Sequence, residues 1–189
     1  MNVVAQGPMT KEAFLDWESR QESRYEFDGF AAVAMTGGTG EHSSIQVNLI
    51  AALMTRLWGS HWRTFGSQLK IEVSGSIRYP DVMVVGTHHP RGTLVVPDPT
   101  VVFEIVSPSS ARIDRIVKAA EYFGTPSIQS YVLLEQDFRG ATVMRRGEGR
   151  WTAEPVGGDG TIQLAEIGVE LLMTELYEDV DMPEETPDT

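Results

Sequence analysis

Two carboxylates, Asp81 and Glu104, sit in strand-like apolar text, and a lysine, Lys118, follows them along the chain. The local sequences are Arg78-Tyr79-Pro80-Asp81-Val82-Met83-Val84-Val85 and Val101-Val102-Phe103-Glu104-Ile105-Val106-Ser107-Pro108. A carboxylate in such a run is costly to bury unless it is paired, hydrogen-bonded or bound to a metal. On neighbouring strands the two would hold a divalent cation, with the Ile105 carbonyl as a third oxygen. Magnesium is bound in this way, by one or two carboxylates with waters completing an octahedron. Lys118 would then stabilise negative charge in a phosphoryl-transfer transition state. That is the chemistry of a metal-dependent nuclease.

The same residues admit a structural account. Asp81 could cap a turn, Glu104 could pair with a surface arginine, and Asp114 and Lys118, one turn apart, could form a surface pair worth about 0.3–0.5 kcal/mol. Arg112 and Arg115 on that segment would either contact phosphate or solvate the surface. His42 stands beside the start of a helical pattern, where capping or packing competes with a role as ligand or base. His61, His88 and His89 share no metal-site spacing with it, and no HExxH arrangement exists. Thr36 to Gly40 lacks the Lys-Ser/Thr of a nucleotide-binding loop, and Ser107 and Ser109 lack a G-x-S-x-G setting.

Positioning these groups requires a sheet with helices against it. Thr10 to Ser19 reads as a helix capped by Thr10. Tyr25–Phe27 and Ala31–Met35 read as strands around Asp28-Gly29, a hairpin signal. Ser43 or Ser44 is expected to cap a helix to about Trp58 that buries Ile45, Leu49, Ala52, Leu53 and Leu57. Strands are expected at 64–65, 69–73, 82–85 and 101–106, with a loop over 87–99. A helix from Asp114 to Phe123 places Asp114, Lys118 and Tyr122 on one face, and Gly124 closes it. Tyr131–Leu134 is a buried strand, and short strands at 141–145, 151–154 and 161–164 precede a helix near Met173–Tyr177. The order predicts an α/β sandwich.

With 41% hydrophobic and 22% charged residues, the 189-residue chain has the composition of a globular domain. One domain over 1–178 is expected, followed by an acidic, disordered tail over 179–189. The chain contains no cysteine, which excludes disulfides and thiolate chemistry. No signal peptide or membrane-length apolar run is visible, so a cytoplasmic protein is expected. The net charge of −12 argues against simple DNA affinity, but six acids lie between Glu178 and Thr189 with no lysine or arginine. From Arg63 to Arg150 eleven basic residues stand against nine acids. The middle of the chain is therefore neither repelled by phosphate nor a basic stripe.

Taken together, the motifs resemble the prokaryotic Uma family of restriction-endonuclease-like proteins, in the PD-(D/E)XK nuclease superfamily. The resemblance is carried by Arg24-Tyr25-Glu26-Phe27-Asp28-Gly29, Ala34-Met35-Thr36-Gly37-Gly38, Glu41-His42, Asn48-Leu49, Tyr79-Pro80-Asp81-Val82 and Phe103-Glu104-Ile105-Val106-Ser107-Pro108-Ser109-Ser110. It continues through Asp114-Arg115, Lys118, Tyr122 and Tyr131-Val132-Leu133-Leu134-Glu135-Gln136-Asp137, spanning roughly residues 10–178. It implies a restriction-endonuclease-like fold, a mixed central sheet flanked by helices, with additional C-terminal strands here. It implies magnesium, with manganese as substitute, held by Asp81, Glu104 and the Ile105 carbonyl. Val106 occupies the position where the superfamily pattern has lysine, and the family's lysine maps to Lys118. Glu26, His42 and Tyr122 are implied as supporting residues, Tyr122 orienting Lys118. The expected function is magnesium-dependent hydrolysis of phosphodiester bonds in DNA by a homodimer. The alternative is a catalytically inactive relative that binds nucleic acid or another protein.

Overall fold

Apolar runs with no polar face must be covered on both sides, and here they form the middle of a six-stranded sheet. A computed structural model describes residues 4–35, 37–86, 88–107 and 110–182. In chain order the elements are β1 (Val4–Gln6), α1 (Lys11–Glu18), β2 (Tyr25–Phe27), β3 (Ala32–Ala34), α2 (Gly40–Leu57), β4 (Arg63–Gly66), β5 (Lys70–Val73), β6 (Ser76–Arg78) and β7 (Val82–Val85). There follow β8 (Val95–Val96), β9 (Pro99–Val106), a π-helical turn (Ile113–Lys118) continued by α3 (Ala119–Phe123), β10 (Ser130–Glu135), β11 (Ala141–Arg146), β12 (Trp151–Val156), β13 (Thr161–Leu164), β14 (Val169–Leu172) and α4 (Met173–Leu176).

The central sheet has the order β12-β11-β10-β9-β7-β4 and is mixed: β9 and β10 run parallel, and its other neighbours are antiparallel. Successive side chains of β7 and β9 alternate between its faces. On one face Val82, Val84, Val101 and Phe103 meet Ile45, Leu49 and Leu53 of α2, together with the β13–β14 hairpin and α4. On the other, Met83, Val85 and Val102 pack with Tyr122, Tyr131 and with Ile71, Val73 and Val96 of β5 and β8, two strands of a second six-stranded sheet of order β1-β3-β2-β6-β5-β8. Leu49 is fully buried, so Leu49→Ala would cost about 2–5 kcal/mol.

The elements agree with expectation at the core and differ at the edges. α2 begins at Gly40, and its cap is Thr39, whose hydroxyl accepts from His42 N at 3.3 Å. The expected Ser43 or Ser44 cap is wrong because the glycines before it suggested a loop that ran too far. The expected α-helix from Asp114 is a π-helical turn that gives way to α3 at Ala119. β1, β6, β8 and β14 were not visible as separate strands. Ser74 and Gly75, with φ of 49° and 85°, turn β5 back into β6; two positive φ values make the tight hairpin turn that Asn-Gly usually signals. At the C-terminus, Val180 and Met182 pack against the core, so the acidic stretch starts as ordered chain. Residues 183–189 lie outside the described residues.

Candidate active site

Pro80 ends the extended segment after β6 and delivers Asp81 to the start of β7. Val82 pairs with Phe103 across the antiparallel β7–β9 ladder, and one further step of that register sets Asp81 opposite Glu104. Both residues line one cleft of about 710 Å³, as do Glu26, His42, Ile105, Asp114 and Lys118. The sequence-predicted residues thus converge, except Tyr122, which lies beneath the cleft and reaches it through Glu104.

α2 and β9 together fix Asp81. His42 Nε2 lies 3.0 Å from Asp81 Oδ1, the Ile105 N–H donates to Oδ2 at 2.7 Å, and Gln46 donates to the Asp81 carbonyl at 2.7 Å. His42 and Gln46 are one turn apart, so one helix face holds both the side chain and the backbone of Asp81. Burial lowers the His42 pKa, but the hydrogen bond and charge of Asp81 outweigh it and leave the imidazole above its ordinary value.

Glu104 is buried, and one of its oxygens carries its two partners. Tyr122 OH donates to Oε1 at 2.7 Å, and Lys118 Nζ stands 3.0 Å from the same atom. Lys118 also lies 3.1 Å from Asp114 and 3.8 Å from Glu26. Burial drives the Glu104 pKa well above 4.5; Lys118 opposes this, and Asp81, Asp114 and Glu26 add to it. Burial pulls on Lys118 in the discharging direction, but Glu104, Glu26 and Asp114 prevail and hold the ammonium charged. The π-helical turn brings Asp114 and Lys118 inward together, and both are buried. The surface-pair account of Asp114 and Lys118 is therefore wrong, as is the pairing of Glu104 with a surface arginine. Arg115 is exposed and pairs with Glu135. Tyr131, edge-on to Tyr122 at 4.8 Å, donates to the Asp114 carbonyl at 3.0 Å and pins that turn to β10.

Behind the lysine, Arg78 binds Glu121 through Nε at 2.7 Å and Nη2 at 2.6 Å, and Glu26 through Nη1 at 3.0 Å. Glu26 also accepts the Tyr79 N–H at 3.2 Å. Sequence reasoning passed over Arg78, Glu121 and Gln46. Arg78 carried a signal, since a charge beside Tyr79-Pro80-Asp81 in strand text needs a buried partner, and Gln46 stands one helical turn from His42. Glu121 carried none.

The cleft lining contains five carboxylates, Glu22, Glu26, Asp81, Glu104 and Asp114, against the fixed cations Arg24 and Lys118. Such an excess favours a bound cation. Among the described residues no group of three or more acidic or histidine side chains has metal-holding geometry. The protein would supply two carboxylates and a carbonyl, a donor set that suits magnesium, which keeps several waters.

Similarity to known proteins bears on the family and the fold. A family model, Uma2, described as "putative restriction endonuclease", matches residues 11–174. Two uncharacterised Synechocystis proteins are similar over most of their length. One is 28% identical over 173 residues, covering 89% of this chain and 91% of the relative. The other is 25% identical over 158 residues, covering 80% and 89%. A crystal structure from Anabaena variabilis, titled as a putative nuclease belonging to DUF820, superposes with a TM-score of 0.73 at 17% identity. It covers 90% of this chain and 98% of that one, and the likeness establishes a shared fold.

Proposed function

Because the chain belongs to the Uma2 family of restriction-endonuclease-like proteins, we propose that it is a magnesium-dependent endonuclease hydrolysing phosphodiester bonds in DNA. The observation that carries this reading is the cross-strand pair Asp81 and Glu104 in an acid-rich cleft, with a charged lysine on one oxygen of Glu104. Asp81, Glu104 and the Ile105 carbonyl would hold the magnesium, which when bound would supply Lewis acidity and lower the pKa of a water.

The chain's own residues have separable parts. His42, Gln46 and the Ile105 N–H fix Asp81 from three sides, so its carboxylate does not reorganise when charge arrives. Tyr122 is itself kept protonated, since burial and Glu104 push its pKa well up, and it orients Glu104 by donating to Oε1. Lys118 keeps a positive charge next to the reacting phosphate, where the transition state gathers negative charge. Arg78 and Glu121 hold Glu26 and stop it from neutralising Lys118 more closely than 3.8 Å. Cutting both strands of a duplex calls for two clefts, and a homodimer supplies them; sedimentation of the protein with and without duplex DNA checks that part.

The test is cleavage of supercoiled plasmid in magnesium by the wild type and by Glu104→Gln. Nicking or linearisation that the substitution abolishes supports the reading. A wild type that binds DNA and leaves it intact across magnesium and manganese would establish the non-catalytic alternative instead.

A further inference from the structure

A second cavity, of about 420 Å³, lies at the other end of β4 and is lined by His61, Arg63, Phe65, Gly86, His88 and His89. No carboxylate lines it, unlike the acid-rich cleft. Arg63 donates only through Nη1, to the carbonyls of Ser60 and Trp62 at 2.8 and 2.9 Å, and no acid pairs with it among the described residues. Both ring nitrogens of His89 are buried without a hydrogen-bond partner, a state native structures rarely leave unanswered. The cavity is held in shape by its neighbours. Phe65 packs on His89 with ring centroids 5.5 Å apart, and Trp62 packs close on Gly86, where a Cβ would come within 2.6 Å of the indole.

A cavity with one guanidinium and no carboxylate, in a chain of net charge −12, favours an anion. The free edge of a guanidinium and nearby imidazoles are suited to the oxygens of a phosphate. The three histidines do not form a metal-holding group among the described residues.

The position of the cavity says which phosphate. Arg63 and Phe65 pair with Val85 and Met83, and paired residues share a sheet face. By the alternation of β7, that is also the face of Asp81. At the other end of β4, Gly66 pairs with Val82, and Ser67 lines the cleft. β4 is the edge strand of its sheet, and among the described residues no further strand pairs with its outer side. From Arg63 to Gly66 is about 10 Å at strand rise, about three phosphate steps along the axis of a DNA strand.

We propose that this cavity binds a backbone phosphate of the nucleic-acid strand whose cleaved bond lies in the cleft. The proposal rests on the nuclease reading and adds an anchor a few nucleotides from the reacting phosphate. Binding of a fluorescein-labelled DNA duplex is followed by anisotropy over a range of sodium chloride, in magnesium-free buffer so that no cleavage intervenes. Arg63→Gln is expected to weaken low-salt binding about tenfold, the loss of one charge-assisted contact. It should also lower the slope of log K against log salt by about 0.9. Arg63→Lys should keep most of the slope, and Arg91→Gln, an exposed arginine outside the cavity, should change little. Wild-type affinity and slope in Arg63→Gln, or an equal loss in Arg91→Gln, would overturn the anchor and leave the nuclease reading standing. A wild type that binds no DNA in this buffer would also overturn the anchor, while the nuclease reading stands or falls on plasmid cleavage in magnesium.

Discussion

The molecule buries two lysines, and each meets a glutamate that also accepts from a tyrosine. Lys70 lies 2.5 Å from Glu18 Oε2, and Tyr79 OH donates to Glu18 Oε1 at 2.6 Å. Lys118 lies 3.0 Å from Glu104 Oε1, and Tyr122 OH donates to that same atom at 2.7 Å. The first triad is balanced: one cation, one acid, both carboxylate oxygens engaged. The second is lopsided, with both partners crowded onto one oxygen of Glu104 and with Asp114 and Glu26 also around the lysine. The same three residue types therefore make a brace in one place and the unbalanced lining of an acid-rich cleft in the other. What separates them is the surplus of negative charge and the oxygen left over.

The sharpest way to break this comparison is to remove each glutamate. Glu104→Gln keeps the shape and should lower cleavage by about a thousandfold or more, roughly 4 kcal/mol of transition-state stabilisation. Glu18→Gln should leave Lys70 buried without its counter-charge and cost about 3–5 kcal/mol of folding stability by urea denaturation. The surviving folded fraction should cleave normally. Equal effects of the two substitutions on cleavage would end the distinction. Lys118→Ala belongs with the first group for activity. It does not share the small stability cost of a surface lysine, because Lys118 is buried among three carboxylates. Its loss should lower the denaturation midpoint as well as cleavage.

A middle-sized effect concerns pH and metal. The folded-state pKa of Glu104 lies above the ordinary 4.5. Its protonated form is therefore favoured on folding, and that contribution is complete below 4.5 and lost as pH rises through the folded value. The thermal midpoint of the wild type should fall relative to Glu104→Gln as pH climbs from 4.5 towards neutrality. Magnesium at pH 7 should restore it, by about 2.7 kcal/mol at a hundred times the dissociation constant, and should leave Glu104→Gln unmoved. A midpoint that tracks the mutant's at every pH, with and without magnesium, would remove the cost assigned here to ionising Glu104.

How much of this was legible beforehand depends on the range of the interactions. The places of Asp81 and Glu104 in strand text, and of Lys118 and Tyr122 on one helix face, follow from two-residue and near-four-residue periods, which survive without knowledge of the fold; their joint role is what the family resemblance implies. The buried face of α2 was read correctly residue by residue for the same reason. The partners of Arg78, Glu121 and Gln46 could not be assigned because they come from β2 and α3, from β6 and from the start of β7, respectively, and no local period reports a long-range ion pair. The π-helical turn was missed because it has no composition of its own. The balanced triad of Glu18, Lys70 and Tyr79 was invisible too: its members come from α1, the start of β5 and the segment after β6.

The smallest expected effect compares the two tyrosines. Both are kept protonated, Tyr79 by burial and by Glu18, Tyr122 by burial and by Glu104, so both are donors at neutral pH. Tyr79→Phe and Tyr122→Phe each delete one hydrogen bond to a buried carboxylate, which is worth about 1.5–3 kcal/mol when the acceptor is charged. In the balanced triad the loss falls wholly on stability, since Lys70 still engages the other oxygen of Glu18. In the cleft, Tyr122→Phe leaves Lys118 as the single restraint on Glu104, and the carboxylate gains freedom to turn. Cleavage by Tyr122→Phe should drop about tenfold, with half-saturation by magnesium moving to higher concentration, while Tyr79→Phe cleaves as the wild type does. Magnesium titrations of cleavage, run beside urea denaturation for both variants, separate the two outcomes. An unchanged magnesium requirement in Tyr122→Phe would reduce Tyr122 to a second brace, equivalent to Tyr79.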